Sequence, residues 1–193
     1  MTRSLTFDRT EVLDKAMMHF WAFGYGASSM QDLLSAMNIN RGSLYSTYGD
    51  KRALYIESLE RYKTLSFVVI ERLLDDQDEL PKTLQNFFNT MILNGDKQQK
   101  QIGCFVVNTI IELSKVDPEL SQVAAKGMTK VRSYFEKLFT NAKKKGELSS
   151  DHDPKALALF YVNCIHGLRV SAKQGMSKEK LQQIVNTAIH VIR

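Results

Sequence analysis

Residues 29–51, SMQDLLSAMNINRGSLYSTYGDK, read as two short helices joined by a tight turn, with the cap of a third behind them. Ser29 and Asp32 form a capping box. The hydroxyl accepts an N–H at the helix start while the carboxylate reaches back to the cap residue. Leu33, Leu34 and Met37 give this first helix an apolar side. Asn38-Ile39-Asn40 breaks it, because Asn tolerates left-handed backbone angles and competes for helical hydrogen bonds. Asn40 caps the second helix, Arg41 to Tyr48, in which Leu44 and Tyr48 fall at i and i+4 and face inward. The remaining side chains, Arg41, Gly42, Ser43, Tyr45, Ser46 and Thr47, are small, polar or aromatic and include no acid. A short helix with that face suits a DNA major groove, where phosphates would repel carboxylates.

The stretch INRGSLYSTYGDKRALY (39–55), with the helix before it, resembles the TetR family of repressors, and the match runs from about Phe7 to Tyr62. The shared motif is a Gly-Ser/Thr-Leu-Tyr core, an aromatic at Tyr48, and Asp/Ser-Lys opening the next helix. The resemblance implies a DNA-binding helix-turn-helix domain at 1–50 and an effector-binding and dimerisation domain at 51–193. It also places Lys51 on operator phosphate. The local sequence agrees, since Asp50 caps a helix whose start offers free N–H groups and positive potential. Ser29, Tyr45 and Thr47 are the other phosphate candidates. Arg41, Gly42, Ser43 and Ser46 are the base-edge candidates, with Gly42 letting the backbone approach the DNA closely. The competing reading is a helical interaction or adaptor protein whose hairpin binds another protein.

The charge distribution adds little to this. The chain of 193 residues carries a net charge of +5, yet residues 1–63 hold eight basic and seven acidic residues. The case for nucleic acid therefore rests on local positions rather than on a basic field. Three Pro, ten Gly and 44% hydrophobic residues fit a compact helical protein. No apolar run reaches membrane length and no signal-peptide pattern opens the chain, so a cytoplasmic location is expected. Cys104 and Cys164 make no disulfide framework.

The rest of the chain continues the helical pattern, for an all-α fold of about nine helices. Met1 to Thr6 reads as an arm without apolar period. Asp8 with Glu11 is a second candidate capping box, ahead of a helix that Gly24 ends. Trp21 and Tyr25 read as packing residues. A long helix runs from Lys51 to about Leu74 and ends in the acidic run at 75–79. Pro81 opens the next, to about Leu93, and the stretch from Asn94 to the Gln/Lys run is a polar loop. Asp117-Pro118 starts a helix to about Lys145, whose three terminal lysines complement the helix dipole before Gly146.

Between these lies an apolar helix, Cys104 to Ser114, with Cys104, Asn108 and Glu112 recurring every four residues. Such a stripe lines a ligand pocket or satisfies neighbouring helices; buried polar groups need partners either way. With Phe105, Tyr62, Phe87 and Met91 it makes the candidate effector set. Cys104 follows a polar loop at a helix start, where free N–H groups stabilise a thiolate. That spot, and the Ala172-Lys173 end of a later helix, resemble a TetR subgroup with electrophile- and oxidant-responsive members. The alternative is that Cys104 is a small buried hydrophobe.

The helix from Pro154 to about Lys173 is apolar nearly all round, interrupted only by Asn163, His166 and Arg169. A helix of that kind is buried on all sides, which predicts a second subunit. With the last helix, Ser177 to Arg193, it forms the expected homodimer interface: Phe160, Cys164, Gly167, Leu168, Leu181, Val185 and Ile189. Enzymatic chemistry is not expected. Cys164 and His166 diverge on one helix without an orienting carboxylate, and no metal-ligand spacing or phosphate-binding Gly loop occurs. The expected partners are an inverted-repeat DNA operator, a second copy of the chain and an unidentified small effector, with no cofactor and no membrane.

Overall fold

A computed structural model describes residues 7–75, 78–94 and 102–192. The expected N-terminal arm, part of the acidic run and most of the polar loop after Asn94 lie outside the described residues. Among those described there are nine α-helices and no strand. They are α1 (Arg9–Phe23), α2 (Met30–Met37), α3 (Arg41–Tyr48), α4 (Lys51–Leu74), α5 (Leu80–Phe88), α6 (Phe105–Leu113), α7 (Pro118–Lys145), α8 (Pro154–Lys173) and α9 (Lys178–His190). A short π-helical stretch, Asn89–Leu93, follows directly on α5. No described helix is long and apolar enough to cross a membrane.

The helix ends follow local chemistry. Asp8 caps α1 by accepting from the N–H groups of Thr10 and Glu11. The reciprocal half of the expected box is not made, because Glu11 instead pairs with Lys15 at 2.6 Å, one turn on. Asp153 and Ser177 cap α8 and α9 through their side chains. Gly146, at φ +76°, follows α7, and Lys143 there donates to the carbonyls of Ser150 and His152 at 2.7 Å each. The lysine is thus a tether for the following loop as well as a dipole complement.

By compactness the chain falls into two units. The first holds the residues up to Leu65 together with Phe105–Ala125, and the second holds Ser66–Cys104 and Lys126–Arg193. The first turns of α4 and all of α6 fall in the same unit as α1 to α3.

The centre of the first unit is aromatic. Tyr55, fully buried, stands edge-on to Phe20, Tyr25 and Phe105 at 4.8, 5.0 and 5.3 Å between ring centroids. Edge-to-face pairs of this kind add to the burial of large apolar surface. Trp21 packs edge-on to Tyr62 at 4.9 Å, a packing role for both. The Tyr55 hydroxyl meets Thr109 Oγ1 at 2.8 Å, and Thr109 donates to the Phe105 carbonyl. Burial pushes the Tyr55 phenol above its usual pKa range, so it stays a neutral hydroxyl.

The second unit is built around Phe87, Phe88, Phe135, Phe139 and Tyr161, all fully buried. From α8 it takes Leu157, Ala158, Tyr161, Val162, Ile165 and Leu168, and from α9 Leu181, Val185, Ala188 and Ile189. Tyr161 donates to the Ala188 carbonyl at 2.7 Å and so ties the two helices together.

Candidate nucleic-acid interface

The geometry of residues 29–51 is that of a helix-turn-helix. Ser29 accepts from the Asp32 N–H, and Asp32 accepts from the Ser29 N–H, each at 3.1 Å. The Ser29 hydroxyl, which donates to Asp32 Oδ2, and then the Ser29 N–H hold the Asp32 carboxyl below its ordinary pKa. Asn38 adopts the left-handed conformation, φ 54° and ψ 46°, and its N–H returns to the carbonyls of Leu34 and Ser35. Two residues later Asn40 accepts from the Ser43 N–H at 2.8 Å and starts α3. Leu44 and Tyr48 are buried, and Tyr48 donates to the Arg9 carbonyl at 3.0 Å, fixing α3 to α1.

That anchoring leaves one face of α3 open. Arg41, Gly42, Tyr45 and Ser46 are exposed, while Ser43 is half-buried. The Arg41 guanidinium lies over the Tyr45 ring at 5.6 Å, so the two candidates share one surface. Thr47 differs: its hydroxyl oxygen is buried without a hydrogen-bond partner among the described residues. It must rotate to reach a phosphate. Ser29 is exposed but its hydroxyl is already committed to Asp32. Gly49, at φ +82°, ends α3, and Asp50 caps α4 by accepting from Ala53 at 2.8 Å. The Lys51 ammonium rests over the Tyr25 ring at 4.5 Å, a cation–π contact that holds the charge beside the hairpin.

The sensor candidates are divided between the two units. Tyr62 and Phe105 stack edge-on at 5.7 Å in the first unit. Glu112 is in the same unit, and its carboxylate accepts from the N–H groups of Tyr25 and Gly26. No local signal in the sequence announces these partners, which lie 87 and 86 residues earlier. Asn108 is half-buried on α6. Phe87 lies in the second unit's core, packed on Phe88 and Phe135, with Met91 against the same core. Cys104 is 8% exposed and immediately precedes α6. A surface groove of about 270 Å³ in the second unit is lined by Leu74, Leu80, Lys137, Leu138, Lys145 and Glu147 among others, and by none of the expected effector residues.

The expected interface residues divide by face. Leu168, Leu181, Val185 and Ile189 are at most 7% exposed and belong to the chain's own core. Periodicity does not separate them from partner-facing residues: α8 is apolar on both faces, and the apolar residues of α9 carry no mark of what covers them. The outward face of α8 carries Phe160 and Gly167, with Cys164 half-buried beside them. The further apolar surface there is Leu159 and Val170 on α8, Ile184 on α9, and Val191 just beyond it.

A helix-turn-helix with an acid-free outer face defines a class, the DNA-binding transcription regulators. Comparison with known proteins gives the family. Residues 12–57 match the model of the bacterial regulatory proteins of the tetR family, and residues 81–188 match the tetracyclin repressor-like C-terminal domain. The chain belongs to the TetR family of transcription regulators, which are not enzymes. It is 29% identical over 193 residues, all of both chains, to the uncharacterized HTH-type transcriptional regulator YezE of Bacillus subtilis. It is 29% identical over 191 residues to the HTH-type transcriptional repressor ComR of Escherichia coli, covering 98% of this chain and 90% of that one. Among solved structures, a cysteine mutant of the TetR family regulator CifR, complexed with 26 bp double-strand operator DNA, superposes with a TM-score of 0.89. The identity is 26%, covering 99% of this chain and 100% of that one.

Proposed function

We propose that the protein is a cytoplasmic homodimeric repressor that leaves an inverted-repeat operator when a small effector or a thiol-reactive compound binds. The observation that carries this is α3: two inward anchors, Leu44 and Tyr48, and an exposed Arg41, Gly42, Tyr45 and Ser46. Arg41, Gly42, Ser43 and Ser46 are assigned to base edges, and Ser29, Tyr45, Thr47 and Lys51 to phosphate. Residues 1–50, with Lys51 at the head of α4, carry recognition, and residues 51–193 carry effector binding and dimerisation. Operator-bound CifR supports the DNA partner by similarity.

The dimer face is the outward stripe of α8, Ala156, Phe160, Asn163, Gly167 and Val170, with Ile184 and Val191. Its spacing alternates four and three residues, as in helices that pack lengthwise on a partner. Phe160, Val170, Ile184 and Val191 are each about 40% exposed in the single chain, and a second copy covers them. Because the protein is two-fold symmetric, its operator is an inverted repeat.

On the signal side, Cys104 is the residue through which a thiol-reactive compound acts, being the last residue before α6. The test is selection of genomic fragments by the purified protein, followed by gel retardation with and without a mild electrophile. Retardation of fragments sharing an inverted repeat, lost on treatment of wild type but not of Cys104→Ser, is the expected result. Absence of retardation even at low salt overturns the DNA reading in favour of a protein-binding hairpin. Release that survives Cys104→Ser removes the thiol, and its loss in Cys164→Ser moves the role there.

A further inference from the structure

We propose that Glu112 is a positioning residue for DNA reading, holding the α1–α2 turn so that the hairpin keeps its register; this rests on the role proposed above for α3. Glu112 Oε2 accepts from the Tyr25 N–H at 3.0 Å and Oε1 accepts from the Gly26 N–H at 2.6 Å. One carboxylate thus takes two adjacent backbone donors, and both hydrogen bonds are charge-assisted, the stronger kind.

The slot it enters is made of glycine. A Cβ on Gly24 would lie 2.6 Å from Glu112 Oε2, and one on Gly26 would lie 3.2 Å from Oε1. Gly24 is also at φ +83°, which other residues rarely adopt. Backbone and side chain therefore specify the same arrangement from opposite ends of the first unit's sequence.

Both edges of the DNA face depend on this turn. Ser28, fully buried, donates to the Gly24 carbonyl at 2.6 Å. The next residue, Ser29, is the cap of α2, which leads through Asn38 to α3. On the other side, the Tyr25 ring carries the Lys51 ammonium. A turn released by Glu112 frees the start of α2 and the seat of Lys51 together.

The experiment compares wild type, Glu112→Gln, Gly26→Ala and the double variant. Gln keeps the shape but turns one acceptor into an NH2 that faces an N–H, and Ala pushes a methyl into the slot. Affinities for the selected operator and for unrelated duplex are measured by fluorescence anisotropy where circular dichroism reports full folding. Hydrogen exchange of the Tyr25 and Gly26 amides is followed on the same samples.

Each single variant is expected to lose on the order of tenfold in operator affinity, the worth of a charge-assisted hydrogen bond. Affinity for unrelated duplex depends on phosphate charge, and Lys51 keeps its charge when it leaves the Tyr25 ring, so this affinity falls by about threefold at most and the operator-to-unrelated ratio drops. The double variant falls no further than the worse single, as coupled neighbours do, and both amides exchange faster. A merely stabilising role lowers both affinities together; an unchanged operator-to-unrelated ratio in the singles therefore overturns the proposal alone. Unchanged amide exchange in Glu112→Gln also overturns it. Wild-type protein without operator preference overturns the DNA reading, and this proposal with it.

Discussion

The hydroxyl chain at the centre of the first unit makes an asymmetric prediction. Thr109 donates to the Phe105 carbonyl, so the hydrogen between Tyr55 and Thr109, 2.8 Å apart, belongs to Tyr55. Tyr55→Phe removes that donor and leaves Thr109 still bonded. Its cost is that of one neutral hydrogen bond, about 1 kcal/mol. Thr109→Val keeps the volume but strips the Tyr55 hydroxyl of its acceptor in a fully buried site. Leaving a buried donor unmet raises the cost to about 2–3 kcal/mol. The double variant has no orphan, so it costs no more than Thr109→Val alone. The ring keeps its edge contacts in every case. With a urea slope of about 2 kcal/mol/M, the single changes lower the midpoint by about 0.5 M and 1 M or more. The assay is urea unfolding by circular dichroism at one fixed protein concentration. Equal single effects that add in the double variant would refute the chain as drawn, because independent sites add and coupled ones do not.

Further outcomes follow from other residues. Lys51→Ala should weaken binding to all duplexes and flatten the salt slope by about one; an unchanged slope means Lys51 touches no phosphate. Phe160→Glu or Ile184→Glu should convert dimers to monomers in sedimentation without exposing the core, and a dimer that survives both places the interface elsewhere. Burial pushes the imidazoles of His19 and His166 below 6.5, with Arg169 adding to the effect at His166 and Asp32 opposing it at His19. The unfolded chain therefore takes up protons first. Stability is full above about pH 6.5 and declines as pH falls toward the folded values. The decline, read from urea midpoints between pH 7.5 and 5.5, should be smaller in His166→Asn.

The hairpin was legible because its signals are local. The Ser29–Asp32 box, Asn38 and the Asn40 cap each act within four residues, and side-chain capping chemistry is specific at that range. The start signals Asp153-Pro154 and Ser177 were legible for the same reason. What escaped depends on distance along the chain. Glu112 meets Gly26 across 86 residues, and a helix-spaced polar stripe says only that it needs partners, not which. The inward face of α8 was equally hidden, since Leu168 and Phe160 are both apolar and only packing separates them. The π-helical stretch at Asn89–Leu93 has no sequence mark that distinguishes it from a continuing α-helix.

The central claim is that α3 reads base edges from an exposed face bearing Arg41. Its most direct test is hydroxyl-radical footprinting of a selected operator, paired with affinities for every single-base variant of one half-site. Two protected patches about one helical turn apart are predicted. Arg41→Ala is predicted to relax preference at one base pair in each half-site by about 1–3 kcal/mol while leaving the other positions discriminated. A uniform loss across all sequences, or a footprint without two-fold symmetry, would contradict it.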